Sequence, residues 1–276
     1  MMKQHLLSRI ESRMPSFSKG QKLIAGYIEE HYDKAAFMTA SKLGATVGVS
    51  ESTVVRFATE VGYDGYPELQ KAMQEMIRSK LTSVQRMEVT SNRIGDADVL
   101  NSVLNQDIDK IRRTMEEISH EEFYNAVDSI VNARKIYILA TRSSAAIGSF
   151  LGYYFNLIFE RVAVVSATSE TEIYEQLMRI GEEDVVIGIS FPRYSKMAVK
   201  AMGFASDSGA TVIALTDSLM SPLVPPSNHV LLARSDMASV VDSLVAPLSV
   251  VNALIVATAL RKKEEITSTF DRLEQI

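Results

Sequence analysis

Residues 43–73 read LGATVGVSESTVVRFATEVGYDGYPELQKAM, and this stretch decides the architecture of the first part of the chain. Ala40, Leu43, Gly44 and Val47 recur at i, i+3, i+4 and i+7, the spacing of one helix face. Val54, Phe57, Ala58 and Val61 repeat that spacing. Between the two patterns Gly48 suits a left-handed turn position and Val49 can plug the corner. Ser50 is a strong N-cap, because its hydroxyl accepts an orphan backbone N–H. Gly44 is a poor helix former, costing roughly 1 kcal/mol against Ala, so its use is close packing of the second helix. Gly62 ends that helix. Two short helices joined by a tight glycine turn make a helix-turn-helix.

A DNA major groove admits one α-helix, and side chains near the helix start reach base edges. Opposite the apolar face of the second helix lie Ser52, Arg56 and Thr59, flanked by Thr53 and Glu60. The residues expected to touch DNA are Lys42, Ser50, Glu51, Ser52, Thr53, Arg56 and Thr59. Arg56 can bond guanine bidentately or a phosphate. Glu51 suits the helix dipole and could also accept from cytosine N4. The plainer alternative is a surface helix with an ordinary polar face. Charge adds little. Residues 1–80 hold 11 basic and 9 acidic side chains, a net of +2, and the remainder carries −7. A domain at +2 is not an electrostatic footprint by itself. Lys42, Arg56, Lys71, Arg78 and Lys80 are the cations that could meet phosphates, and each lysine taken singly reads as a solvated charge.

Gly48–Val49–Ser50, Thr53–Val54, Arg56–Phe57, Gly62–Tyr63–Asp64–Gly65–Tyr66 and Glu68–Leu69 together resemble the N-terminal domain of the RpiR family over roughly residues 1–80. These are bacterial regulators in which a sugar isomerase (SIS) domain follows the helix-turn-helix domain. Upstream, Ser18 with Gln21 forms a capping box, and Leu23, Ile24, Tyr27 and Ile28 make an apolar helix face.

The length of 276 residues favours two domains. A composition 46% hydrophobic is ample for packed cores. No run of about 18 apolar residues indicates a membrane span, and the first residues, MMKQHLLSRIESRMP, lack a signal-peptide core. With no cysteine there are no disulfides and no thiolate metal sites, which fits a cytoplasmic protein. Residues 81–100 turn polar and lose periodicity. The expected division is a helix-turn-helix domain over 1–80, a linker over 81–104 and an α/β domain over 105–276.

In the last part, Ile136–Ala140, Val162–Val165, Val185–Ile189, Val212–Leu215 and Val230–Leu232 read as strands. Helical stretches lie near 145–159, 172–180, 196–208 and 238–262. Strands apolar on both faces imply a five-stranded parallel sheet covered on both sides, a doubly wound α/β domain. Ligands in such sheets sit beyond the C-terminal strand ends. There the sequence places Thr141–Arg142–Ser143–Ser144, Ser190–Phe191–Pro192–Arg193–Tyr194–Ser195–Lys196 and Thr216–Asp217–Ser218. Hydroxyls and helix-start N–H groups bind phosphate, and arginines add charge. The alternative for each Ser or Thr is simple helix capping. Val240 to Leu260 is apolar on nearly all sides, so a buried helix is expected, kinked at Pro247.

This part resembles a SIS domain over about residues 105–270. The resemblance implies a phosphosugar site made by Arg142, Ser143, Ser144, Ser190, Arg193 and Ser195. Ser190 and Ser195 align with the first Ser and the Thr of the family's Ser-x-Ser-Gly-x-Thr loop. Ala140, Arg142 and Arg193 stand where glycines are usual, and Pro192 replaces the second Ser. SIS isomerases place a general base near the start of the late helix, where this chain offers Asp236 and Asp242 but no Glu. His5, His31, His120 and His229 show no ligand spacing, so neither metal nor cofactor is expected. The leading expectation is a non-enzymatic transcription regulator of sugar metabolism. Its partners would be operator DNA and a phosphorylated sugar effector, with no membrane, and it would act as a homodimer or homotetramer. The rivals are a phosphosugar isomerase with an accessory domain, and a DNA-binding protein whose α/β domain only oligomerises.

Overall fold

The structure is a computed structural model that describes residues 6–80, 87, 98–166, 169–235 and 241–273. The chain forms two compact units, residues 1–82 and 83–276. Most of the expected linker lies outside the described residues, and its last positions, 99–104, are already helical.

The first unit is helical: α1 (Leu6–Arg13), a short 3-10 turn (Met14–Ser16), α2 (Lys19–Ala35), α3 (Ala40–Val47), α4 (Glu51–Glu60) and α5 (Tyr66–Lys80). Ile24, Ile28, Leu43, Val54, Phe57, Leu69 and Met73 are fully buried, and the rings of Phe17 and Phe57 lie 5.2 Å apart. The apolar face expected on α2 is narrower than the sequence suggests. Leu23 is half exposed, because Ile24, Ala25 and Ile28 take the inward positions. Gly48 holds φ +76 between α3 and α4. A Cβ on Gly44 would come 2.8 Å from the carbonyl oxygen of Val49, so the corner closes only with glycine there. α5 is tied to the segment after α2 by polar side chains. Tyr66 Oη and Gln70 Nε2 both donate to the Met38 carbonyl at 2.7 Å, and Gln74 Nε2 donates to the Ala36 carbonyl at 3.0 Å.

The second unit runs α6 (Val99–Glu117), α7 (His120–Asn132), β1 (Lys135–Ala140), a 3-10 turn (Arg142–Ser144), α8 (Ala145–Ile158), β2 (Val162–Val165), α9 (Glu170–Leu177), β3 (Asp184–Ile189), α10 (Lys196–Asp207), β4 (Thr211–Thr216), β5 (His229–Leu232), α11 (Val245–Arg261) and α12 (Lys263–Leu273). The sheet has the order β2-β1-β3-β4-β5 and every pair is parallel. Alternate strand residues feed two cores. Ile136, Ile138, Ile187 and Ile213 pack under α7, α8 and α11, whereas Tyr137, Leu139, Val186 and Val212 pack under α9 and α10.

The late helix departs from expectation. α11 starts at Val245, so Pro247 sits in its first turn, where a missing N–H leaves no intrahelical bond unmade. No kink results. Nor is the helix buried all round. Val250, Val251, Leu254 and Thr258 face inward, while Ala253, Val256 and Leu260 are exposed. α6 also leaves Leu100, Leu104, Ile108 and Met115 exposed along one side. Its other side buries two polar residues, Lys110 and Thr114. Lys110 pairs with Asp107 at 3.2 Å, Ser243 Oγ donates to Asp107 at 2.7 Å, and the Arg234 N–H donates to Thr114 Oγ1 at 2.9 Å. Arg234 also pairs with Glu117.

Burial pushes the Tyr66 phenol up to about 12, above the ordinary tyrosine value of about 10. A group with a raised folded value contributes stability that is complete below the unfolded value and lost as pH rises through the folded one. Denaturant midpoints measured against pH should therefore fall between about 10 and about 12. Tyr66→Phe should flatten that fall while losing about 0.5–1.5 kcal/mol at neutral pH. Parallel profiles for the two proteins would assign the alkaline loss to another group.

Candidate functional sites

The start of α4 is organised by its cap. Ser50 Oγ accepts the Thr53 N–H at 3.3 Å and lies 2.9 Å from Ser52 Oγ and 2.8 Å from Thr53 Oγ1. Arg56 Nε donates to the Ser52 carbonyl at 3.3 Å, which lays the guanidinium along the helix. Ser50, Glu51, Ser52, Arg56 and Thr59 are exposed and Thr53 is half-buried. Two open concavities flank Arg56. One of about 540 Å³ is bordered by Glu51, Ser52 and Val55. The other, of about 520 Å³, is shared by Ser50 and Thr53 with Ser18, Gly20 and Gln21 of α2. Lys42 is exposed on α3 and Thr59 occupies the last turn of α4, with its hydroxyl donated to the Val55 carbonyl. Neither borders these two concavities. Lys71 is exposed on α5, and the side chains of Arg78 and Lys80 lie outside the described residues. Sequence reasoning missed the first turn of α2 as part of this face. Its only trace was the capping box, which reads as a stability feature.

In the second unit, β1 leads to α8 on one face and β3 leads to α10 on the other. The loops after β1 and β3 therefore diverge and leave a crevice between neighbouring strands. A cavity of about 280 Å³ occupies it. All six expected residues, Arg142, Ser143, Ser144, Ser190, Arg193 and Ser195, line it, and Val241 and Asp242 border it as well. Ser144, Ser190 and Ser195 are buried, whereas Arg142, Ser143 and Arg193 are exposed. Ser190 Oγ accepts the Ser195 N–H at 3.2 Å, and Ser195 Oγ caps α10 by accepting the Ala198 N–H at 3.3 Å. Thr216 Oγ1 donates to the Ser190 carbonyl at 2.9 Å and pins the loop from β4. Both serine hydroxyls act as acceptors in these bonds, so each keeps its proton to donate. α8 starts without a side-chain cap. Its first N–H, that of Ala145, is instead donated to the Arg142 carbonyl of the preceding 3-10 turn.

Arg142 (φ +56) and Arg193 (φ +65) are the only non-glycine residues with positive φ among the described residues. The backbone at both positions keeps the left-handed form that glycine adopts without penalty, and arginine holds it at roughly 1–2 kcal/mol each. Non-glycine strain of this sort clusters at functional sites. Ala140 has a different reason to be small. A Cβ on Gly148 would lie 2.6 Å from the Ala140 Cβ, so α8 packs hard against the end of β1.

Of the two candidate general bases Asp242 borders the cavity, and none of the described histidines lines it. His229 Nδ1 lies 3.2 Å from Glu122 Oε2 and its Nε2 lies 3.2 Å from Ser129 Oγ, which joins the start of β5 to α7. His31 is in α2 and His120 starts α7, while His5 and Asp236 lie outside the described residues. Among the described residues no cluster of His, Asp or Glu could hold a metal, and no helix is long and apolar enough to cross a membrane. A second, apolar groove of about 250 Å³ lies between α6, α7 and α11, lined by Ile111, Met115, Phe123, Tyr124, Val250 and Ala253. The sequence reading did not foresee it.

A helix-turn-helix unit followed by a doubly wound unit with serine- and arginine-bearing strand-end loops is the build of a two-part DNA-binding regulator. Comparison with known proteins agrees. Residues 4–80 match the model of the rpiR-family helix-turn-helix domain, and residues 129–257 match that of the SIS domain. The chain belongs to the RpiR family of helix-turn-helix transcription regulators. An HTH-type transcriptional regulator of Caldanaerobacter subterraneus is 26% identical over 98% of this chain and 96% of its own length. The sugar isomerase domain of an RpiR transcription factor from Sphaerobacter thermophilus is 28% identical, with a TM-score of 0.61 over 64% of this chain and 99% of its own. Vibrio vulnificus NanR, in complex with ManNAc-6P, has a TM-score of 0.60 and 23% identity over 98% of this chain and 97% of its own.

Replacing Arg193 with glycine should release backbone strain and raise the stability of the second unit by about 1 kcal/mol in urea unfolding. Arg193→Ala keeps the Cβ and should give no such gain. A less stable glycine variant would mean that contacts of the guanidinium outweigh the strain.

Proposed function

We propose that this regulator reads operator DNA with α4 and answers to a phosphorylated sugar held beyond the C-terminal ends of β1 and β3. On DNA, Arg56 with Ser52 and Thr53 faces the major groove. Ser50, Glu51, Thr59 and Lys42 complete the contact set from the cap, the far turn and the neighbouring helix. In the SIS unit, Ser144, Ser190 and Ser195 hold the phosphate deep in the cavity, and Arg142, Ser143 and Arg193 close on it from the mouth. The observation that carries this reading is the convergence of these six side chains on one cavity at the switch point of the sheet, with both arginines in strained backbone. The ManNAc-6P bound by NanR, a protein of like fold, supports the choice of a sugar phosphate.

The role is sensing rather than turnover. Interconverting an aldose and a ketose needs a positioned general base. The described lining of the cavity holds one carboxylate, Asp242, and no imidazole. Paired operator half-sites call for at least two readers. The exposed apolar sides of α6 and α11, with the groove between them, suit a homodimer or homotetramer. Action on DNA places the protein in the bacterial cytoplasm. Effector binding shifts the balance between two arrangements of the DNA-reading heads, by no more than its preference for one of them.

The test is a titration onto labelled DNA from upstream of the protein's own gene, with and without a panel of sugar phosphates. One compound should change the affinity. Arg56→Ala should weaken operator binding by about 1–3 kcal/mol, and an unchanged affinity would remove α4 from the groove. Ser190→Ala combined with Ser195→Ala should abolish the effector response and leave DNA binding intact. A surviving response would place the phosphate elsewhere.

A further inference from the structure

The first turn of α2 meets the first turn of α4 at close range. Ser18 Oγ accepts the Gln21 N–H at 3.4 Å, and Gln21 Oε1 accepts the Ser18 N–H at 2.8 Å. This reciprocal box engages the oxygen of the Gln21 amide and fixes the side chain. Among the described residues no acceptor takes its Nε2. The side chain borders the same concavity as Ser50, Thr53 and Arg56. The two helix starts are in near contact at Gly20. A Cβ there would reach van der Waals contact with Thr53 Cγ2 and Val49 Cγ1, each at 3.4 Å.

The chemistry of the cleft is that of a donor. Gln21 offers two N–H bonds, Arg56 offers its guanidinium, and the Ser50 and Thr53 hydroxyls complete the wall. The carboxylate of Glu51 borders the other concavity and not this one. A cleft rich in donors, beside a helix that faces the groove, matches the oxygens of the sugar-phosphate backbone rather than a base edge. We propose that it seats a backbone phosphate of the DNA duplex and that Gln21 Nε2 donates to that phosphate, with Arg56 on the opposite wall. The contact fixes how α4 enters the groove and carries no sequence information. It rests on the reading of α4 as the DNA-facing helix.

Gln21→Glu separates this role from a structural one. Glutamate keeps the capping oxygen and suits a helix start, so the thermal midpoint should be equal or higher. It also replaces two donors with an anion, so affinity for a labelled random-sequence 30-base-pair duplex at low salt should fall about 10-fold or more. Gln21→Lys does the reverse. It loses the cap and some stability, yet should bind the duplex at least as well as the wild type, with a salt slope steeper by about 1. Affinity that is unchanged in Gln21→Glu, or that follows stability in both variants, would overturn the proposal while Arg56→Ala still weakens binding. A wild-type protein that binds no duplex at low salt would overturn the reading of α4 together with it.

Discussion

The second unit is organised by one constraint. A parallel sheet that grows outward in both directions from a central pair must send the chain to opposite faces after those two strands. Here β1 and β3 are that pair, followed by α8 and α10 on opposite sides of the sheet. The crevice, its two diverging loops and the helix starts that look into it all follow from this reversal. Hydrogen bonds from Thr216 and within the Ser190–Ser195 loop then set its shape. Ala140 and Gly148 let α8 begin close to the strand end. The first unit depends on a shorter-range limit of the same type. The corner between α3 and α4 closes because nothing larger than hydrogen stands at Gly44.

Much of this could be read from the residues because burial on both faces leaves a strong mark. The five strands are apolar runs, and each lies within a residue or so of where those runs fall. Ser50, Gly48 and the two apolar helix faces fix the helix-turn-helix for the same reason, since every signal is local. The departures come from effects that a linear pattern does not carry. A kink was expected at Pro247, but the helix begins just before it and a first-turn proline disturbs nothing. Leu23 shares the spacing of a buried face without sharing the burial, because Ala25 fills the inward place.

The sites were legible to different depths. The serines and arginines of the strand-end loops stand out by type and position, and the cavity gathers them all. What the sequence withheld was conformation. Nothing in the letters Arg142 or Arg193 says that φ is positive. The hint lay in the glycines of the related pattern, which mark backbone form rather than absence of a side chain. The cleft between α2 and α4 is harder still. It joins residues about 30 positions apart, and its members, a serine, a glycine and a glutamine, are unremarkable one by one.

The strand lengths have a consequence for how the protein behaves in a crowded cell. β1, β3 and β4 have 6 residues each, but the two outer strands, β2 and β5, have only 4. A short outer strand exposes few unpaired backbone groups, so it makes a poor template for another chain to extend. Open-ended growth along the sheet is thereby discouraged. Association between copies is left to side-chain packing on the helical surfaces, where shape and apolar match decide the partner and closed assemblies are favoured over fibres.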